Sequence, residues 1–167
     1  MLLRILRHFA RTRAADIRER WDRSVSFGDL VQDRFERARS LGFGEGSSIY
    51  DQSLVLGDVR VGVKTWVGPY TVLDGSGGLT VGSHCSISAG VQVYTHDAVA
   101  HATSGGERPI ERSPTCIGDR VYLGPGAIIS RGAVIADGVV VGALSFVPEG
   151  AVLDAGVWVG APVRRVR

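Results

Sequence analysis

His96 is the histidine whose surroundings point to chemistry, in the run Tyr94-Thr95-His96-Asp97 that lies just before the polar stretch "HATSGGERPIERSPT". An imidazole with a pKa near 6.5 takes up and returns a proton near neutral pH, which suits it to general base catalysis. Asp97 is a poor partner for it, because adjacent residues of an extended chain point to opposite sides. Another carboxylate or a main-chain carbonyl is the expected group that fixes its tautomer. The cysteines carry less. Cys85 and Cys116 form neither a disulfide framework nor a CxxC motif. Cys85 reads as a small core residue, and no activating histidine is assignable to Cys116.

The elements that position His96 are set by a six-residue repeat. From Ile117 the count runs through Leu123, Ile129, Ile135, Val141, Val147, Leu153 and Val159. Positions four further on are small or β-branched, as at Val121, Ala127, Ala133, Val139 and Ser145. Ile49, Val55, Val61, Val67 and Leu73 keep the same count, which slips by two residues in "DGSGGLT" and resumes at Val81, Ile87 and Val93. A period of six fits no helix. It predicts short strands joined by tight turns and stacked into a solenoid with an aliphatic interior. Between Val93 and Ile117 the count is broken by a polar loop over about 97–116, and loops on rigid scaffolds often carry function.

Net charge is +2 over 167 residues, which gives no overall pull toward nucleic acid. Residues 1–40 are locally basic, with ten arginines against six acidic residues. "LLRILRHFARTRAADIRERWDR" and "DLVQDRFERARSLGFG" predict two amphipathic helices, an N-terminal unit over 1–42 ahead of a β domain over 43–167. Packing on the solenoid or on a second subunit is the first expectation for them. Contact of the arginine-rich helix with an anionic membrane surface is the second. No run is long and apolar enough to span a bilayer, and arginines interrupt the N-terminus too often for a secretory signal. The expected location is cytoplasmic, with a peripheral place at the inner membrane face as the variant.

The pattern [LIV]-G-x-x-[AVS]-x over residues 47–167 resembles the hexapeptide-repeat transferases. The motif around His96, followed by "PTCIGDRVYLGPGAIISRGAVIADGVVVGA", is similar to the galactoside/maltose-type and polysaccharide-modifying O-acetyltransferases. The resemblance implies a left-handed parallel β-helix, a homotrimer, acetyl-CoA as co-substrate without a metal, and His96 as general base. A saccharide or saccharide-like acceptor would be acetylated directly, in a groove between subunits. By the same resemblance Tyr122, Gly124, Gly142 and Ala143 line the pantetheine arm, Arg164 and Arg167 face the CoA phosphates, and Asp74 binds acceptor hydroxyls. Arg108 and Arg112 in the loop suit a phosphate or carboxylate on the acceptor. The chain departs from the family pattern at Leu144 and at Pro148-Glu149.

Three other readings share the repeat. An amino-sugar nitrogen is the acceptor in one, and a non-catalytic scaffold is another. The third is a γ-type carbonic anhydrase with zinc between subunits. His96 and His101 have H-x₄-H spacing, but zinc needs convergent ligands, and the repeat places His84 on a different face of the coil from His96.

Overall fold

The computed structural model describes residues 1–166. Residues 48–160 wind into a β-solenoid of about six turns. Each full turn lays down three two-residue rungs. The first face stacks Ser48–Ile49, Trp66–Val67, Ser86–Ile87, Tyr122–Leu123, Val140–Val141 and Val157–Trp158 in parallel register. The second face stacks Leu54–Val55, Val72–Leu73, Gln92–Val93, Ile128–Ile129 and Phe146–Val147. The third runs from Arg60–Val61 through Thr80–Val81, Cys116–Ile117 and Val134–Ile135 to Val152–Leu153.

The second residue of each rung points inward, so Ile49, Val67, Ile87, Leu123 and Val141 on the first face and Leu73, Val93, Ile129 and Val147 on the second are fully buried in two columns. Each such side chain contributes roughly 1.5–3 kcal/mol by leaving water. Ala127, Ala133, Val139 and Ser145 fill the narrow corners between columns, as the repeat requires. Cys85 takes one of these slots, its thiol donating to the Gly118 carbonyl at 3.1 Å, and burial pushes its pKa up.

The count of sixes fails at its last step. Val140 and Val141 pair with Val157 and Trp158, so Trp158 turns toward the core while Val159 is exposed. The chain there folds back as an antiparallel hairpin, Val157–Gly160 against Val163–Arg165, which tethers the end through Arg165 to Asp154 and the Ala155 carbonyl.

The N-terminal segment forms three helices where two are expected: α1 (Leu2–Trp21), α2 (Phe27–Val31) and α3 (Arg34–Ser40). The predicted second helix breaks at Gln32–Asp33, because the Asp33 carboxylate accepts the N–H groups of Phe35 and Glu36 while Glu36 accepts the Asp33 N–H. This reciprocal cap starts a new helix instead of continuing the old one. α3 closes the open end of the solenoid. Its Ala38 joins the core, and Arg37 donates to the carbonyls of Tyr50 and Ser53. α1 buries no residue, and Leu2, Leu3, Ile5, Leu6 and Phe9 all reach solvent. Among the described residues no helix is long and apolar enough to cross a membrane.

Candidate active site

The second face turns into the third at a corner where the regular coil is twice interrupted. Leu73 and Val93 are register neighbours one turn apart. After Leu73 the two extra residues of "DGSGGL" keep the chain extended through Val81, and after Val93 the long loop leaves the coil. Asp74 and His96 therefore meet across adjacent turns, with Asp74 Oδ2 2.6 Å from His96 Nδ1.

Asp74 is fully buried, and each of its oxygens is held. Oδ2 also accepts the Thr95 N–H at 3.0 Å, and Oδ1 accepts the N–H and the hydroxyl of Ser76. The Thr95 hydroxyl donates to the Asp74 carbonyl at 2.8 Å and accepts the Gly77 N–H at 2.7 Å. Gly77 must lack a side chain here, because a Cβ would stand 2.4 Å from the Thr95 carbonyl. Burial alone would raise the Asp74 pKa. Hydrogen bonds from the Ser76 side chain, the Thr95 N–H, His96 and the Ser76 N–H outweigh it and hold the carboxyl well below the usual carboxylate range. Asp74 is thus an anion at neutral pH, which fixes the imidazole with Nδ1 as donor and Nε2 as the basic nitrogen. The His96 side chain is 34% exposed, and the Tyr94 ring stands edge-on to it at 6.4 Å.

His96–Asp97 forms a short antiparallel ribbon with Glu111–Arg112, His96 opposite Arg112 and Asp97 opposite Glu111. Asp97 accepts the Val99 N–H at 2.6 Å at the start of α4 (Val99–Thr103) and so folds the loop. His101 is bonded through Nδ1 to the Arg108 carbonyl at 2.7 Å. Among the described residues no group of three or more His, Cys, Asp or Glu side chains is placed to hold a metal.

The remaining candidates lie at another corner, where the first face turns into the second. Tyr122 points outward between Ser86 and Val140, and Gly124, Gly142, Ala143 and Leu144 follow on that edge. A Cβ at Gly124 would come within 2.5 Å of the Ala143 nitrogen, so coil stacking itself requires this glycine. Leu144 adopts φ 55° and is 79% exposed, projecting from the edge. Arg164 is exposed on the terminal hairpin, opposite Val159, and Arg167 lies outside the described residues. One chain thus brings Asp74 and His96 together but holds Tyr122, Gly124, Gly142 and Ala143 on a separate edge of the prism. The Asp74–His96 pairing was within reach of the sequence, since counting hexads places Leu73 and Val93 one turn apart.

No family model matches the chain. An uncharacterised protein of Dictyostelium discoideum is 32% identical over 93 residues, 55% of this chain and 34% of that protein. The chain thus matches about a third of the length of this curated relative. Among solved structures, the N-acyltransferase AntD from Bacillus cereus, in complex with dTDP and 3-hydroxybutyryl-CoA, is 27% identical with a TM-score of 0.67 over 75% of this chain and 70% of that one. A maltose O-acetyltransferase from Clostridium difficile is 24% identical with a TM-score of 0.60, covering 98% of this chain and 84% of that one; it supports the fold. In fold the chain is thus similar to acyltransferases of the hexapeptide-repeat type.

Proposed function

We propose that the protein transfers an acetyl group from acetyl-CoA to a hydroxyl of a saccharide or saccharide-like acceptor, with His96 as general base. The observation that carries this reading is the ionised, buried Asp74 on Nδ1 of a half-exposed His96. Nε2 takes the acceptor proton as the acceptor oxygen attacks the thioester carbon. The new C–O bond forms, the C–S bond breaks, and the imidazolium returns its proton to the departing sulfur. Asp74 stabilises the imidazolium without itself becoming protonated. It acts through His96 rather than on acceptor hydroxyls, because its oxygens are already occupied.

Acetyl-CoA would lie along the edge formed by Tyr122, Gly124, Gly142 and Ala143, with Arg164 and Arg167 toward its phosphates. The separation of that edge from His96 within one chain supports a homotrimer in which neighbouring subunits complete each site. An amino-sugar nitrogen is the second acceptor class, favoured by the likeness to AntD. Arg112 stands across the ribbon from His96, where cross-strand side chains share a face, and suits a phosphate on a nucleotide sugar. The exposed apolar and arginine-rich sides of α1 fit contact with an anionic membrane, as a lipid-linked acceptor would need.

The test is CoA release from acetyl-CoA across neutral sugars, nucleotide sugars, amino-sugar nucleotides and lipid-linked saccharides, comparing wild type with His96→Ala. A fall of about 10²–10⁴ in kcat supports the base. Turnover that survives the substitution removes His96 from that role, and binding of acetyl-CoA without turnover on any acceptor favours a non-catalytic scaffold.

A further inference from the structure

Arg131 enters the active-site corner from the turn of the coil on the far side of His96 from Asp74, two residues after Ile129, the register neighbour of Val93. Its guanidinium reaches both ways. It pairs with Glu149 one turn further on, at 2.7 Å, and with Glu111 on the returning strand of the loop. The Arg131 side chain is only 15% exposed, and its Nε is buried without a hydrogen-bond partner among the described residues.

The coil itself does not call for this charge. Rungs on either side are already joined by main-chain bonds, from Tyr94 N–H to the Ile129 carbonyl at 2.9 Å and from Ser130 N–H to the Val147 carbonyl at 3.0 Å. What the guanidinium joins that the main chain does not is the loop. Glu111 is the ribbon partner of Asp97, and its neighbour Arg112 is the ribbon partner of His96. The returning strand also lies close on the Arg131–Gly132 turn, where a Cβ at Gly132 would stand 2.9 Å from the Ser113 hydroxyl. The imidazole is therefore gripped by Asp74 from one turn, while its ribbon is gripped by Arg131 from the turn on the other side.

We infer that Arg131 is a positioning residue that acts through Glu111 to fix the ribbon carrying His96, with Glu149 as its second anchor. This assigns a role to the acidic residue at the Pro148-Glu149 departure from the family pattern. Two carboxylates share one guanidinium, so loss of Arg131 removes the tie and leaves like charges facing each other across the corner.

The experiment is hydrogen exchange by mass spectrometry on the full chain, comparing wild type with Arg131→Met, Arg131→Lys and Glu111→Gln, alongside kcat and KM for acetyl-CoA. Arg131→Met is expected to speed exchange over residues 96–112 by about tenfold or more while the coil rungs keep their protection. It should lower kcat by about tenfold, with KM for acetyl-CoA within about twofold. Arg131→Lys should restore most of both. Glu111→Gln breaks the same tie from the exposed loop and should shift exchange in the same direction, which covers the case of an Arg131 variant that does not fold. Unchanged loop exchange in both Arg131→Met and Glu111→Gln overturns the inference, as does a uniform loss of protection across the solenoid. The exchange measurement stands without turnover, so a failure of the proposed acetyl transfer reads out separately.

Discussion

Asp74 Oδ2 lies 2.6 Å from His96 Nδ1, and the two residues reach each other from adjacent turns of the coil, 22 positions apart in sequence. The contact depends on two irregularities stacked at one corner, the extra residues after Leu73 and the loop after Val93.

Replacing Asp74 with Asn keeps the shape but removes the charge that selects Nδ1 as donor. Initial-rate measurements should show kcat lower by about 10²–10⁴, with little change in KM for acetyl-CoA. The double variant with His96→Ala should be hardly slower than His96→Ala alone, because the two groups act as a unit.

The same carboxylate makes stability depend on pH in a defined direction. Its folded pKa lies well below the unfolded value of about 3.9, so its contribution is fully present above roughly pH 5. As pH falls through about 4 the unfolded chain takes the proton first, and the contribution is lost progressively toward the folded pKa. Thermal melts of wild type and Asp74→Asn should therefore converge as pH falls below about 4. A gap that stays open or widens below about pH 4 would contradict this.

Trp158 and Val159 test the end of the repeat. Trp158 packs on the core and donates from its indole N–H to the Asp154 carbonyl at 3.0 Å, whereas Val159 is exposed. Truncation of Trp158 to Ala should cost at least about 2 kcal/mol by urea denaturation. Val159→Ala should stay within about 0.5 kcal/mol.

Subunit mixing tests whether the two corners meet between chains. His96→Ala damages one corner, and Ala143→Arg is designed to obstruct the other. If each site draws His96 from one subunit and the Gly142–Ala143 edge from the next, co-assembly of the two inactive variants should recover about a quarter of wild-type activity. No recovery would place each site within a single chain.

Much of the fold is legible in the sequence, because a period of six leaves its mark on the inward columns from Ile49 to Leu153 regardless of what surrounds them. His96 stood out for a related reason, as the polar residue where that period stops. The repeat carried no sign of the break between α2 and α3, which rests on Asp33 capping a helix from within an amphipathic pattern. Nor did it show the slip from Val159 to Trp158, where a shortened turn moves an aromatic into the column. Asp74 is singled out in the sequence only by the family resemblance, as a group for acceptor hydroxyls, and not as the partner of His96. Its burial and its hydrogen bonds arise only when Ser76, Thr95 and His96 fold onto it. Arg131, Glu111 and Glu149 are likewise ordinary surface charges until the loop returns.

The loop leaves and rejoins the coil through a narrow neck. The Thr95 carbonyl accepts the Ser113 N–H at 3.0 Å, and the rungs on either side of the neck stack on their neighbours, Leu73 beside Val93 before it and Val81 beside Ile117 after it. Everything between is therefore a cassette whose length the scaffold does not register. A graft of a different segment between Thr95 and Ser113, provided it returns a histidine to Asp74 and an acidic residue to Arg131, should on the proposed function alter acceptor choice without rewriting the solenoid. Diversification of such a protein can proceed by exchanging one surface excursion while the coil that holds Asp74 is inherited intact.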